Sequence, residues 1–324
     1  MLITAGTGFA LVPWLKKLKY GQTIKEIGPT WHKGKEGTPT MGGLMFVIGS
    51  LIAVAAAYTF MLTQVGKGEM PGMGNEVQNL FIMILTSLAF GFVGFVDDFI
   101  KVVKQRNLGL MARYKIIMQV LITAIFLGAL YLNGTLSTIM NIPFFGAVDV
   151  GFFFYPFSFL LIIAMVNAVN LTDGIDGLAS SVTFVVALGF VVLSSLMGYF
   201  VIALFAAAIA GGCAGFLSWN FHPAKVFMGD TGSMFLGGAV VVLAYCIGRP
   251  EILFLIGIVY VCEAASVILQ VSFFKITKGK RIFKMSPIHH HFEMCGWSEE
   301  KIVITFSFTA LIGVILSCMY VYLG

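Results

Sequence analysis

Four stretches of the chain carry residue types at spacings that suit chemistry. In Gly94-Phe-Val-Asp97-Asp98-Phe-Ile-Lys101, adjacent carboxylates close an apolar run and a lysine follows one helical turn after Asp97. Adjacent carboxylates repel unless a cation lies between them, and hard oxygen ligands suit Mg²⁺, which takes one or two carboxylates and fills its shell with substrate phosphate and water. Lys101 and Lys104 read equally as holders of phosphate oxygens and as a basic flank. The second stretch, from Asn167 to Leu178, repeats amides and carboxylates every third residue (Asn167, Asn170, Asp173, Asp176). That spacing shares one helix face, and Gly174 and Gly177 let the backbone turn and approach a ligand. Such residues also glue membrane helices together, yet a metal or nucleotide site accounts for the row and its glycines at once. The third stretch, Asn220 to Gly232, offers Asp230 as a further metal carboxylate, Phe227 as a surface for a stacked base and Asn220 as a hydrogen-bonding partner. Alone, Asp230 would read as a helix N-cap. The fourth holds three consecutive histidines, His289, His290 and His291. Neighbours on an extended chain point apart, which favours donors to a diphosphate or sugar over a zinc site.

The elements that must position these residues are membrane helices. Of 324 residues, 59% are hydrophobic and 11% charged, with a mean hydropathy of +0.96, which excludes a soluble fold. The net charge of +5 sits in short clusters between apolar runs, so it reads as a topology signal and no nucleic acid is expected. Five widely spaced cysteines (Cys213, Cys246, Cys262, Cys295, Cys318) form neither a disulfide framework nor a ligand spacing. A bilayer needs about 20 apolar residues per helix, which predicts an all-α, polytopic fold of about ten spans. They fall at residues 2–18, 41–63, 79–100, 116–132, 156–170, 180–197, 199–219, 233–247, 252–274 and 302–323, a single membrane domain over 1–324. The first run has Lys16, Lys17 and Lys19 after it and no charge before it, the reverse of a cleavable signal, so it is expected to remain as an anchor.

With both termini outside, 18 of the 20 Lys/Arg lie in inner loops, leaving Lys67 and Arg249 outside. The positive-inside rule therefore sets the orientation and cross-checks the number of spans. It also places five of the six aspartates, all but Asp149, on the inner face. Intramembrane carboxylates are costly and mark function; a cation transporter would carry them at mid-membrane and on both faces, whereas one-sided chemistry suits an enzyme fed from the cytosol. Basic and aromatic residues interleave over 273–284, as in helices lying on an anionic leaflet. Glu263, inside an apolar run, is expected to be hydrogen-bonded near the site or protonated. Gly211 and Gly215 form a GxxxG pattern that serves packing within one chain as well as between two.

Taken together, Gly37-Thr-Pro-Thr-Met-Gly-Gly43, Asp97-Asp98 with Lys101, 167–178, 220–230, 263–270 and 285–293 resemble the polyprenyl-phosphate N-acetylhexosamine-1-phosphate transferases over nearly the whole chain. The Pro287-Ile-His-His-His-Phe292 segment is similar to the phospho-MurNAc-pentapeptide transferase branch and separates it from the GlcNAc-1-phosphate transferases. The resemblance implies transfer of phospho-MurNAc-pentapeptide from UDP-MurNAc-pentapeptide to undecaprenyl phosphate, giving lipid I and UMP. It further implies a Mg²⁺ requirement, a homodimer in the bacterial cytoplasmic membrane and inhibition by nucleoside antibiotics. On this reading Asp230, helped by Asp98, holds Mg²⁺, and Asp97 meets the lipid phosphate as base or orienting group. Lys33 or Lys35, beside Thr38 and Thr40, clamps phosphate together with Lys101 and Lys104. Uridine falls to Asn170, Gly174, Ile175, Asp176, Asn220, Phe227 and Gln270. His289, His290 and His291 act on the diphosphate or sugar, with Asn167 and Asp173 also lining the substrate site.

Overall fold

An apolar run inside a bilayer must satisfy its backbone hydrogen bonds internally, so runs of this length become helices. The computed structural model describes residues 1–17, 35, 37–66, 75–104, 109–142 and 145–323. The helices are α1 (Leu2–Lys17), α2 (Leu44–Gly66), α3 (Glu76–Val103), α4 (Ala112–Leu132), α5 (Phe154–Thr172) and α6 (Leu178–Leu196). They continue with α7 (Phe200–Asn220), α8 (Gly229–Cys246), α9 (Leu253–Ile256), α10 (Ile258–Ile276), α11 (Ile288–Met294) and α12 (Glu299–Leu323).

Among the described residues, nine helices are long and apolar enough to cross a membrane. The expected tenth, over 2–18, is α1, whose 16 residues rise about 24 Å against a hydrocarbon core of roughly 30 Å. The span expected at 252–274 is interrupted: α9 ends at Gly257, where the chain leaves helical geometry, and α10 begins after it. The basic–aromatic stretch is not the interfacial helix its composition suggested. It turns irregularly after α10, and the Gln270 side-chain oxygen accepts the Ile282 and Phe283 N–H groups at 3.1 and 3.0 Å, folding the loop back on α10. The histidines, expected on extended chain, lie on the short helix α11.

α8 is the hub. Every residue from Thr231 to Cys246 is buried, packed chiefly against α3 and α5. Its glycines permit this: a Cβ at Gly237 would press on the Val166 backbone and one at Gly238 on Phe90. The large apolar side chains left exposed on α4, α10 and α12 form a lipid-facing sheath. The GxxxG pattern is used inside the chain, because Gly215 receives α1 so closely that a Cβ would collide with Met1 and Thr4.

At one end of the bundle an antiparallel hairpin, β1 (Ile139–Ile142) with β2 (Gly146–Asp149), covers the helix ends and receives the Tyr320 hydroxyl on the Asn141 carbonyl. There Asp149 is held below the usual carboxylate range by the Thr138 hydroxyl and the Gly151 N–H. The opposite end collects the C-termini of α3, α5, α7 and α10, the N-termini of α4, α6, α8 and α12, and α11. Every aspartate but Asp149 lies at that end.

Candidate active site

The site starts from Gly94, the point of closest approach between α3 and α8. A Cβ there would collide with the Asp230 carbonyl. This contact puts Asp98, one turn on, under the first N–H groups of α8. Asp98 Oδ1 accepts the Asp230 N–H at 3.1 Å, and Oδ2 accepts the Thr231 N–H at 2.8 Å and the Thr231 hydroxyl at 2.7 Å. A carboxylate there satisfies orphan donors and meets the positive end of the helix dipole. Asp98 thus caps α8 from another helix. Gly229 enters α8 at φ +74°, with no room for a side chain between Asp98 Oδ2 and Thr40 Oγ1.

Asp230, so positioned, draws three donors. Lys101 and Lys115 each bring Nζ to 3.1 Å of Oδ2, and Asn170 Nδ2 lies 3.0 Å from Oδ1 while also reaching Ser233 Oγ at 2.7 Å. Asp97 pairs with Lys101 at 2.5 Å and accepts the Leu110 N–H at 2.9 Å. One oxygen from each of Asp97, Asp98 and Asp230 lies within 4.8 Å of the others. Three carboxylates stand against two ammonium groups in a nest that is nearly dry around Asp97 and Asp98 and opens at Asp230, whose side chain is 21% exposed.

The turn between α5 and α6 forms the adjoining wall. α5 stops at Thr172, so the row read as one helix face divides. Asn170 stays on the helix beside Asp230; Asp173 and Asp176 lie in the turn, which Gly177 closes at φ +78°. Burial, reinforced by the charges of Asp230, Asp98 and Asp176, pushes the Asp173 carboxyl up to about 8. Gly174 abuts the His289 ring so closely that a Cβ would overlap Nε2. His289 is fully buried, with Nδ1 3.0 Å from Glu263 Oε1. His290 is held by Glu293 at 2.5 Å, and His291 Nδ1 accepts the Lys284 N–H at 3.1 Å, so the three side chains take different partners although they share a helix and the His289 and His290 rings lie 4.1 Å apart.

Asp176 turns to a second group. Its carboxylate receives Lys35 Nζ at 2.7 Å, the Ala224 N–H at 3.0 Å and His222 Nδ1 at 3.1 Å, while Glu299 takes Lys35 at 2.7 Å and the Asp176 N–H at 3.0 Å. Asn220 is buried and fully engaged, its oxygen on Gly177 N–H and Ser180 and its amide on the Val226 carbonyl. It fixes the 221–227 loop rather than offering itself to a base. That loop is tied to the 38–43 segment: Phe227 N–H donates to the Pro39 carbonyl and Gly42 N–H to the Phe227 carbonyl, both at 2.8 Å, leaving the Phe227 ring half-buried.

The expected residues therefore divide. Asp97, Asp98, Asp230, Lys101, Asn170 and Thr40 converge; Asp173, Gly174 and His289 form the next wall; Lys35 and Asp176 form a neighbouring group. Ile175 is buried within the turn. Asn167 instead makes a reciprocal amide pair with Gln119, joining α5 to α4. Gln270 braces the basic loop, Lys104 is exposed at the end of α3, Thr38 lies on the partly buried approach to Pro39, and Lys33 falls outside the described residues. Reading the sequence missed Lys115, Thr231, Ser233, His222 and Glu299 as site residues. Lys115 contributes to the sequence reading only as loop charge, and of the second group that reading names Lys35 and Asp176 but not the adjacent acids at 299–300.

Residues 80–248 match the model of glycosyl transferase family 4, and residues 35–47 match phospho-N-acetylmuramoyl-pentapeptide-transferase signature 1. The chain is 47% identical over 310 residues to the phospho-N-acetylmuramoyl-pentapeptide-transferase of Heliobacterium modesticaldum, covering 95% of this chain and 91% of that one. It is 44% identical over 313 residues to the protein of the same name from Listeria monocytogenes serotype 4b, and 45% over 312 residues to that of Clostridium perfringens strain 13. Both alignments cover 96% of this chain and 93% of the relative.

Proposed function

Because the chain belongs to the phospho-N-acetylmuramoyl-pentapeptide-transferase family, we propose that it transfers phospho-MurNAc-pentapeptide from UDP-MurNAc-pentapeptide to undecaprenyl phosphate, releasing UMP. The observation that carries this reading is the convergence of Asp97, Asp98 and Asp230 with Lys101 and Lys115 at one end of a helical membrane bundle. Joining two anionic partners is limited by charge, so placed counter-charges are the main catalytic need.

Three carboxylates within 4.8 Å make a hard oxygen donor set that fits Mg²⁺. Asp230 would hold the ion with Asp97 in place of the Asp98 expected from the sequence, because both Asp98 oxygens are taken by the α8 N-terminus, from which Asp98 aims Asp230. Bound there, Mg²⁺ supplies charge neutralisation for the diphosphate and the departing UMP. Lys101 and Lys115, now on Asp230, are placed to turn to phosphate oxygens. A lipid phosphate oxygen forms a bond to the sugar-bound phosphorus while the bond from that phosphorus to the UMP oxygen breaks, the electron pair leaving with UMP. A monoester phosphate has a second pKa near 6, so the attacking oxygen already carries its charge at neutral pH and one displacement suffices. Asp97 then orients the acceptor and needs no proton. The 173–177 turn with Lys35 and Phe227 lines the side proposed for uridine, where nucleoside antibiotics would compete. The charge of the basic loops supports a cytoplasmic position for this end with both termini outside, and the proposal includes a homodimer in the bacterial cytoplasmic membrane.

The test is product formation by purified protein in detergent with UDP-MurNAc-pentapeptide or UDP-GlcNAc as donor, with Mg²⁺ and after chelation. Lipid I and UMP from the first donor, abolished by chelation, are expected. Use of UDP-GlcNAc instead would assign the chain to the sister chemistry.

A further inference from the structure

Glu263 has no part in the reaction outlined above, yet it is a carboxylic acid with no exposed surface inside a membrane-spanning helix, α10. An ionisable group at that depth persists when it is partnered and has a use. Its partner is His289 on α11, equally buried, with Nδ1 3.0 Å from Oε1. The far end of each side chain, Glu263 Oε2 and His289 Nε2, is buried and has no hydrogen-bond partner among the described residues. The imidazole is fixed on two sides: His290 packs on it with ring centroids 4.1 Å apart, and Gly174 faces Nε2 with no Cβ between. Gly174 follows Asp173, whose carboxyl feels the charges of Asp230 and Asp98. A continuous path therefore runs from α10 through one imidazole to the wall of the reaction centre.

A carboxylate at one ring nitrogen of a histidine sets both the proton's position and the ring's rotation. We propose that Glu263 is a positioning residue that holds the His289 proton on Nδ1 and the ring against Gly174, so that the imidazole sets the 173–177 turn lining the donor side of the reaction centre. The assignment rests on the phosphoryl-transfer reading above. It gives the buried carboxylate its use. Any residue larger than glycine at 174 would push the ring away from the turn.

The test is a double-mutant cycle with radiolabelled donor, combining Glu263→Gln with His289→Ala. Loss of an orienting partner lowers function about 10–100-fold, so Glu263→Gln is expected to lower kcat by that factor with donor KM nearly constant. In the His289→Ala background the same change should cost less than about twofold, since residues acting as one unit are not additive. An equal loss in both backgrounds would make Glu263 a packing residue and overturn the proposal, as would an unimpaired single variant. ¹⁵N-histidine spectra decide if His289→Ala leaves no readable rate. The resonances lost in that variant should place the proton on Nδ1 in the wild-type protein and redistribute in Glu263→Gln; unchanged resonances would refute the dyad. A wild-type protein that transfers nothing, yet shows this spectral response, would contradict the functional reading and leave the dyad standing.

Discussion

Asp230 gathers Lys101, Lys115 and Asn170 on two oxygens while Asp98 holds its backbone, so each neighbour has a separable task. Lys115 comes from α4, 115 positions away from Asp230 in sequence, and in the proposed reaction turns its charge to a donor phosphate oxygen. Lys115→Gln is expected to lower kcat about 10²–10³-fold, the range for one lost transition-state donor, in a steady-state assay with a wild-type melting curve. Asp173 yields a prediction in pH. Its folded value of about 8 lies above the ordinary 3.8, so the native state binds the extra proton. Its stability contribution is then complete below about 4 and lost as pH rises through about 8. Asp173→Asn should flatten this decline, and thermal melts of the two proteins between pH 4 and 9 measure it. The carboxylates and histidines were legible in sequence because such groups are rare in apolar helices. Lys115, Thr231 and Ser233 were not, since an ordinary lysine or hydroxyl acquires its role from a neighbour on another helix.

Helices carry this chemistry through small residues at their crossings. Gly94 lets α3 meet α8, and without that approach Asp98 could not reach the α8 N-terminus. Gly94→Val should separate the two helices, lowering stability by about 1–3 kcal/mol, the usual range for overpacking, and removing activity. Melting in detergent alongside the transfer assay reads both effects. The long helices were readable from runs of about 20 apolar residues. The short elements carried no such signal: the hairpin at 139–149 and α11 are shorter than a hydrophobic period needs, and the break at Gly257 is one glycine in a continuous apolar run. The Asn/Asp row misled for the same reason, because a three-residue spacing fits a helix and the turn after Thr172 equally well until Gly174 and Gly177 are placed.

For the whole molecule, one end of the bundle bears the acids, lysines and α11, while the hairpin end bears Asp149, Arg249 and Glu251. Sequence made this asymmetry visible through loop charge, but it did not reveal that α8 sits at the centre with α3 and α5 around it. Exposed Cys295 lies at the acidic end. With the other four cysteines replaced by alanine, a membrane-impermeant maleimide should label Cys295 in inside-out vesicles and leave it unlabelled in intact spheroplasts. The reverse pattern would invert the proposed orientation. The central claim, that the cluster built on Asp230 is the reaction centre, is met most directly by comparing wild type with Asp230→Asn in lipid I formation at saturating donor, acceptor and Mg²⁺. The account predicts a loss of about 10³-fold or more, as for a lost charge stabiliser at the reacting group, with the fold retained by circular dichroism; an Asp230→Asn protein that transfers at the wild-type rate would contradict it.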